Sequence, residues 1–275
     1  MKSIMISQNN DTFINFYILV SNLTRAQKIV IIRISREHKN CKIKFFDMGN
    51  QFKEIHLAYN IWSTANFYRL RLTDLLKDVK KIIYLDTDTL VYKDLSKIYN
   101  YNIEGKYFIG MLEHKSKNFF INNNVSFNNY INTGVMLCNL DELRKGNISN
   151  KLIDYIKKYN NDLKYPVNDP TNLFTHLKNG YFSPKDVVIG FCNIKSAYNY
   201  YNYNKKINKK LVVEAYKNPY IYHYILNVKP WRGIHFKNNY MCLDPFVRFY
   251  EIARKTSYYY EILKIFPISL EQIKK

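Results

Sequence analysis

Strand-type and helix-type segments alternate along the first third of this chain, which predicts an α/β fold with a largely parallel sheet. Two further observations support that class. The strand-type runs are short and continuously apolar, as strands buried on both faces are. One of them, Lys80-Lys81-Ile82-Ile83-Tyr84-Leu85, ends directly in Asp86-Thr87-Asp88. In sheets of this kind ligands sit beyond the carboxyl ends of the strands, so a pair of acids there marks a candidate site.

Each element follows from its residues. Residues 1–12 hold only a short apolar piece, Ile4-Met5-Ile6, and a polar turn, Asn9-Asn10-Asp11-Thr12. Asn15 to Val20 reads as a buried strand. Asn22 or Thr24 caps a helix whose apolar positions are Ala26, Ile29, Val30 and Ile34. Cys41 to Phe46 is a second strand. Ser63 to Leu76 is a helix carrying Phe67, Arg69, Leu70, Leu72 and Leu75. The acidic strand follows. Tyr107 to Leu112 is another strand, ending at Glu113, and an Asn-rich loop spans 118–130. Tyr130 to Leu140 is a further buried strand, with Asn132 and Gly134 inside it. A glycine there permits a backbone or ligand to come close, or marks a simple bulge. Asp141 caps a helix, and 149–159 form a Lys-rich amphipathic one. Pro166 to Pro170 interrupt the chain before a helix with Leu173, Phe174 and Leu177.

The 275 residues are 47% hydrophobic, enough for one large domain with a substantial core. The net charge of +20 comes mostly from lysine, and Asn, Tyr and Ile are abundant beside it, as an AT-rich coding sequence produces. An anionic partner is the functional reading of that charge: a nucleotide, a nucleic acid or a lipid surface. The Tyr-, Asn- and Lys-rich stretch 198–210 has the composition of a single-strand binder but lies in no nucleic-acid-binding motif, so no nucleic-acid partner is expected. Cys41, Cys138, Cys192 and Cys242 are widely spaced and read as buried thiols in a reducing compartment. No apolar run is long enough to span a membrane.

Asp86 and Asp88 are two residues apart, so an extended backbone points both to one side. Two partly buried carboxylates repel each other, and a divalent cation removes that cost. The plain alternative is that they end a strand and cap a turn. Far downstream, His223 follows the apolar run Pro219 to Tyr222, and Lys229 precedes Pro230 and Trp231. Two carboxylates and an imidazole suit Mn²⁺, and a nearby ammonium neutralises a diphosphate.

Three segments together resemble glycosyltransferase family 8: Tyr84 to Val91, Ile131 to Leu140, and His223 to Trp231. The similarity runs from about Asn15 to Tyr259. The resemblance implies a single 1–275 domain of the GT-A nucleotide-diphospho-sugar transferase fold. From its own residues, 248–275 reads as a basic helical tail, suited either to an anionic membrane or to packing on the core as a solvated amphipathic helix. The resemblance also implies a retaining hexosyltransferase that moves galactose or glucose from a UDP-hexose to a glycan or glycolipid acceptor, as in lipopolysaccharide synthesis. It further implies Mn²⁺ or Mg²⁺ as cofactor. The spaced thiols point to a cytoplasmic enzyme, and the basic tail to one that is peripheral on an anionic inner membrane face. Residue by residue, Asp86, Asp88 and His223 match the metal ligands, and Asp86 also touches the donor. Lys229 matches the diphosphate-binding lysine, and Arg69, Asn132 and Gly134 match donor-binding positions. Glu113 matches an acceptor-side acid, and Asn168 and Asp169 match the catalytic segment beside the anomeric carbon.

Three departures from the family pattern stand out. The family opens with an apolar strand that holds the base; this sequence opens at Met1-Lys2-Ser3-Ile4, within what resembles the following helix, so that strand is expected to be missing. The family's Asp-Gln-Asp is Val167-Asn168-Asp169, which loses a carboxylate. A glycine of the His-to-Lys motif is Leu226. These departures favour, as the alternative, an impaired relative that acts as a binding protein.

Overall fold

The computed structural model describes residues 1–55, 63–113, 130–159, 163, 165–183, 186–190, 209–225, 229–230, 236–237, 240–241, 243–257 and 259. It divides into two units. One comprises Met1–Asn9, Asp86–Leu95 and Ser183–Lys275; the other comprises Asn10–Leu85 and Ser96–Phe182.

In the second unit, β1 (Ile14–Val20) pairs in parallel with β2 (Cys41–Asp47). Between them runs α2 (Arg25–Arg36). Thr24 caps it: its hydroxyl accepts from Gln27 N and the Gln27 side chain accepts from Thr24 N, a reciprocal capping box. No residue of α2 is buried, and Ile29, Val30 and Ile32 are exposed. β1 is likewise only half-buried.

A 3-10 helix over Thr64–Arg71 and the one-turn α3 (Leu72–Leu75) replace the single helix expected across Ser63–Leu76. They bury Phe67, Tyr68, Arg69, Leu70 and Leu72. A four-stranded sheet follows, in the order β3 (Lys81–Leu85), β6 (Ile131–Asn139), β5 (Phe108–Leu112), β7 (Asn179–Tyr181). β6 is antiparallel to both β3 and β5, while β5 and β7 are parallel. The α/β class holds, but strand directions are more mixed than the expected largely parallel sheet. The reason is physical: an apolar run looks the same read in either direction, so direction is decided by which strands become neighbours.

Eight of the nine residues of β6 are buried. Asn139, not Asp141, caps the following α5 (Leu140–Lys145), accepting from Glu142 N. α5 and α6 (Ile148–Tyr159) bury Leu140, Leu143, Ile148, Leu152, Ile153 and Ile156 against Phe67, Met136 and Cys138. α7 (Asn168–Thr175) buries Thr171, Asn172 and Thr175, whereas Leu177 just beyond it is 81% exposed.

In the other unit, residues 2–7 form a helix, α1 (Lys2–Ser7), where little structure was expected. It serves the edge of β4 (Thr89–Val91): the Ser3 hydroxyl accepts from Val91 N, and the Ser7 hydroxyl donates to Val91 O. β4 is antiparallel to β9 (Ile221–Tyr224), which is parallel to β8 (Val187–Gly190). α8 (Lys209–Lys217) precedes β9. A two-residue hairpin, β10 (Phe236–Lys237) with β11 (Tyr240–Met241), leads to α9 (Leu243–Ala253). The Arg248 guanidinium on α9 lies over the Tyr216 and Tyr222 rings and donates to Tyr216 O. The Asn-rich loop, most of the 198–210 stretch, Leu226, Trp231, Cys192, Cys242 and the tail after 259 lie outside the described residues. Among the described residues, no helix is long and apolar enough to cross a membrane.

Candidate active site

The acidic turn and β9 meet through ordinary strand pairing. Thr89 pairs with His223 across the β4–β9 ladder, and Tyr224 N donates to Asp88 O at 2.8 Å. The Thr89 hydroxyl donates to Asp86 O at 2.9 Å, which tightens the turn. This register aims the His223 imidazole at the two acids. Its Nε2 lies 3.2 Å from Asp88 Oδ1 and 3.9 Å from Asp86 Oδ2. The potential ligand atoms of Asp86, Asp88 and His223 lie within 4.8 Å of one another. The Lys229 ammonium donates to Asp88 Oδ2 and to Tyr224 O. His223 is buried, and both acids are half-buried.

Burial pushes the Asp88 carboxyl up, but His223 first and Lys229 second outweigh it and hold its pKa at about 2, below the ordinary 3.8. Asp88 is thus an anion throughout the physiological range. Its Oδ1 is buried and, although it faces the imidazole, has no hydrogen bond of sound geometry. A buried carboxylate oxygen left open in this way fits a cation. Two carboxylates with one imidazole are a donor set that suits Mn²⁺ better than the all-oxygen preference of Mg²⁺.

The other unit gathers a second group of the sequence-predicted residues. The Arg69 guanidinium donates through Nη1 to both the carbonyl and the hydroxyl of Thr133, the latter at 3.2 Å, and through Nε to Asn66 O at 3.0 Å. It also lies 4.4 Å over the Tyr84 ring. The Thr133 hydroxyl donates to Asn168 Oδ1. Asn168 Nδ2 and Asn132 Nδ2 both donate to Glu113 Oε2, at 3.2 and 3.1 Å. Gly134 N donates to Asn132 Oδ1 at 2.9 Å. Arg69, Glu113, Asn132, Gly134 and Asn168 therefore share one network. The Asp169 carboxylate accepts from the buried Tyr130 hydroxyl.

A register shift in the β5–β6 pairing creates this arrangement. Gly110 pairs with Met136, and the next residue, Met111, with Asn132, so β6 bulges between them. The bulge reading of this stretch is correct, and the close approach is made by Gly110. A Cβ there would lie 2.8 and 2.9 Å from Ile131 side-chain atoms and 3.2 Å from Asn132 O. Two contributors escaped the sequence reading. Thr133 joins Arg69 to Asn168, and the signal was its place between two suspected residues. Asn172, fully buried, accepts from Ile131 N and donates to Ile131 O and Asn168 O. Its signal was a polar residue one turn after Asn168 on the same helix face.

A Haemophilus influenzae protein of the glycosyltransferase class is 30% identical over 172 residues, 61% of this chain and 52% of that protein. An Escherichia coli lipopolysaccharide 1,2-glucosyltransferase is 24% identical over 260 residues, 90% of this chain and 72% of that one. Among solved structures, apo WbbM, a bifunctional glycosyltransferase, superposes with a TM-score of 0.73 at 17% identity, covering 96% of this chain and 48% of that one. The galactosyltransferase LgtC, bound to donor and acceptor sugar analogues, superposes at 0.70 with 19% identity over 93% and 90%. The chain thus spans about half the length of the Haemophilus relative and of WbbM. The structural likeness establishes the GT-A fold. The family model for glycosyl transferase family 8 matches residues 1–235 of the 275, and the chain belongs to that family.

Proposed function

We propose that this protein is a retaining hexosyltransferase that moves galactose or glucose from a UDP-sugar to a glycan or lipid-linked acceptor, with a divalent cation. The observation that carries the reading is the Asp86–Asp88–His223 cluster, with the open Asp88 oxygen and the Lys229 ammonium beside it. When bound, Mn²⁺ or Mg²⁺ supplies Lewis-acid stabilisation to the diphosphate. Asp86, Asp88 and His223 are its ligands. Lys229, held by Asp88 and Tyr224 O, supplies the second positive charge for the leaving UDP. Family 8 membership supports a UDP-sugar as donor.

Arg69, Asn132 and Gly134 are assigned to the donor. Asn168 is assigned to the anomeric centre, and its amide is oriented: its oxygen accepts from Thr133, and its nitrogen donates to Glu113. Retention by same-face attack of the acceptor is favoured over a covalent intermediate. Both nearby carboxylates are already engaged, Asp169 by Tyr130 and Glu113 by two amides, and hydrogen bonds of this kind blunt a nucleophile. Glu113, so held, is assigned to the acceptor side. The bonding around the anomeric carbon is expected to pass through an oxocarbenium-like state.

Thermal unfolding with UDP and Mn²⁺, separately and together, tests the reading. A rise that requires both ligands, and that is lost in Asp88→Asn while the circular dichroism is unchanged, is the expected result. Metal-dependent sugar transfer by Asp88→Asn at the parent rate would refute it.

A further inference from the structure

We propose that the outward face of α2 is a docking surface for an anionic phospholipid bilayer. The helix carries Arg25, Ile29, Ile32, Arg33 and Arg36 at spacings of four, three, one and three, which places them on one face. Ala26 and Val30 flank that face. Ile29 is 40%, Val30 36% and Ile32 37% exposed, and no residue of the helix is buried. No acid occurs between residues 25 and 36. Among the described residues, Arg25, Arg33 and Arg36 have no ion-pair partner.

Aliphatic side chains interleaved with unpaired arginines match the layered chemistry of a bilayer surface, where phosphates lie above an apolar interior. A polynucleotide offers the phosphates without the apolar layer. A second copy of this face would set arginine against arginine, and like charges facing each other oppose pairing. The net charge of +20 adds long-range attraction toward the same kind of surface.

Flotation of the full chain with vesicles of phosphatidylcholine, with and without phosphatidylglycerol, tests this. The parent should float only with the anionic vesicles. Ile29→Ser with Ile32→Ser should weaken that association by about tenfold, since the apolar contact is lost without change of charge. Arg25→Gln, Arg33→Gln and Arg36→Gln together should weaken it by at least about tenfold and reduce its salt dependence. Lys151→Gln, Lys157→Gln and Lys158→Gln remove as many charges from the exposed side of α6 and should leave it unchanged. All these positions except Ile32 and Ile29 are charged and all are exposed, so folding is preserved. Failure of the parent to float overturns the proposal. So does equal binding by the serine variant, or an equal loss from the α6 variant, which would mark charge without a surface. A parent dimer that the serine variant converts to monomer, seen by sedimentation velocity, would assign the face to a second copy and equally overturn it.

Discussion

Asn172→Ala probes the strut that carries the candidate donor network. Asn172 is fully buried; its Oδ1 accepts from Ile131 N at 2.7 Å, and its Nδ2 donates to Ile131 O and to Asn168 O, each at 2.8 Å. Ile131 is itself fully buried, so water cannot replace the lost partners. Each buried backbone group left unpaired costs about 1–3 kcal/mol. The two Ile131 groups together set an expected loss of about 3 kcal/mol, more than a hundredfold in the unfolding equilibrium at about 1.4 kcal/mol per tenfold. Urea unfolding, followed by tryptophan-independent far-ultraviolet circular dichroism, measures it. Leu177→Ala, five residues further on but 81% exposed, should change stability by no more than about 0.5 kcal/mol. If Asn172→Ala unfolds within about 0.5 kcal/mol of the parent, the claim that this side chain anchors α7 to β6 is wrong.

Three further outcomes follow from the same geometry. Gly110→Ala should destabilise by about 1–3 kcal/mol and weaken UDP-sugar binding, because its Cβ would push on Ile131 and on the backbone that sets Asn132; calorimetric titration and urea unfolding read both effects. Arg69→Lys keeps the charge but loses the paired donation to Thr133, so donor affinity should fall by about tenfold in that titration; an unchanged affinity would remove Arg69 from the donor site. Burial pushes the Cys138 thiol up to about 12 from 9.0, although Arg69 nearby pulls the other way. A thiol raised in the folded state stabilises fully below pH 9.0, and that contribution is lost as pH rises toward 12. Mass spectrometry after iodoacetamide treatment at neutral pH should therefore find the Cys138 peptide unmodified until urea unfolds the chain; prompt labelling of the native protein would contradict its burial.

The two candidate groups differ in how far they could be read beforehand. Asp86 and Asp88 stand two residues apart after an apolar strand, a local pattern with a local consequence. His223 and Lys229 were legible from their residue types and the resemblance together, and antiparallel pairing of β4 with β9 supplies the register that aims the imidazole. The roles of Arg69 and Glu113 were legible through the resemblance, but Thr133 and Asn172 were not. Neither residue type is unusual in a strand or helix, and each ties its element to partners far along the chain. The cap of α5 shows the same limit at short range: Asp141 and Asn139 are both good caps, and β6 continues to Asn139 before the chain turns.

What the amino-acid order determined alone is whatever depends on neighbours along the backbone. The positions of most strands and helices, the Thr24 capping box and the same-side placement of Asp86 and Asp88 all belong there, because side-chain periodicity and local hydrogen bonding decide them. Tertiary structure decided the rest: the mixed strand directions, the bulge opposite Gly110, the exposure of α2 and the open oxygen on Asp88. Each of these depends on which distant surfaces pack together, and an apolar run or a polar side chain carries no record of its eventual neighbour.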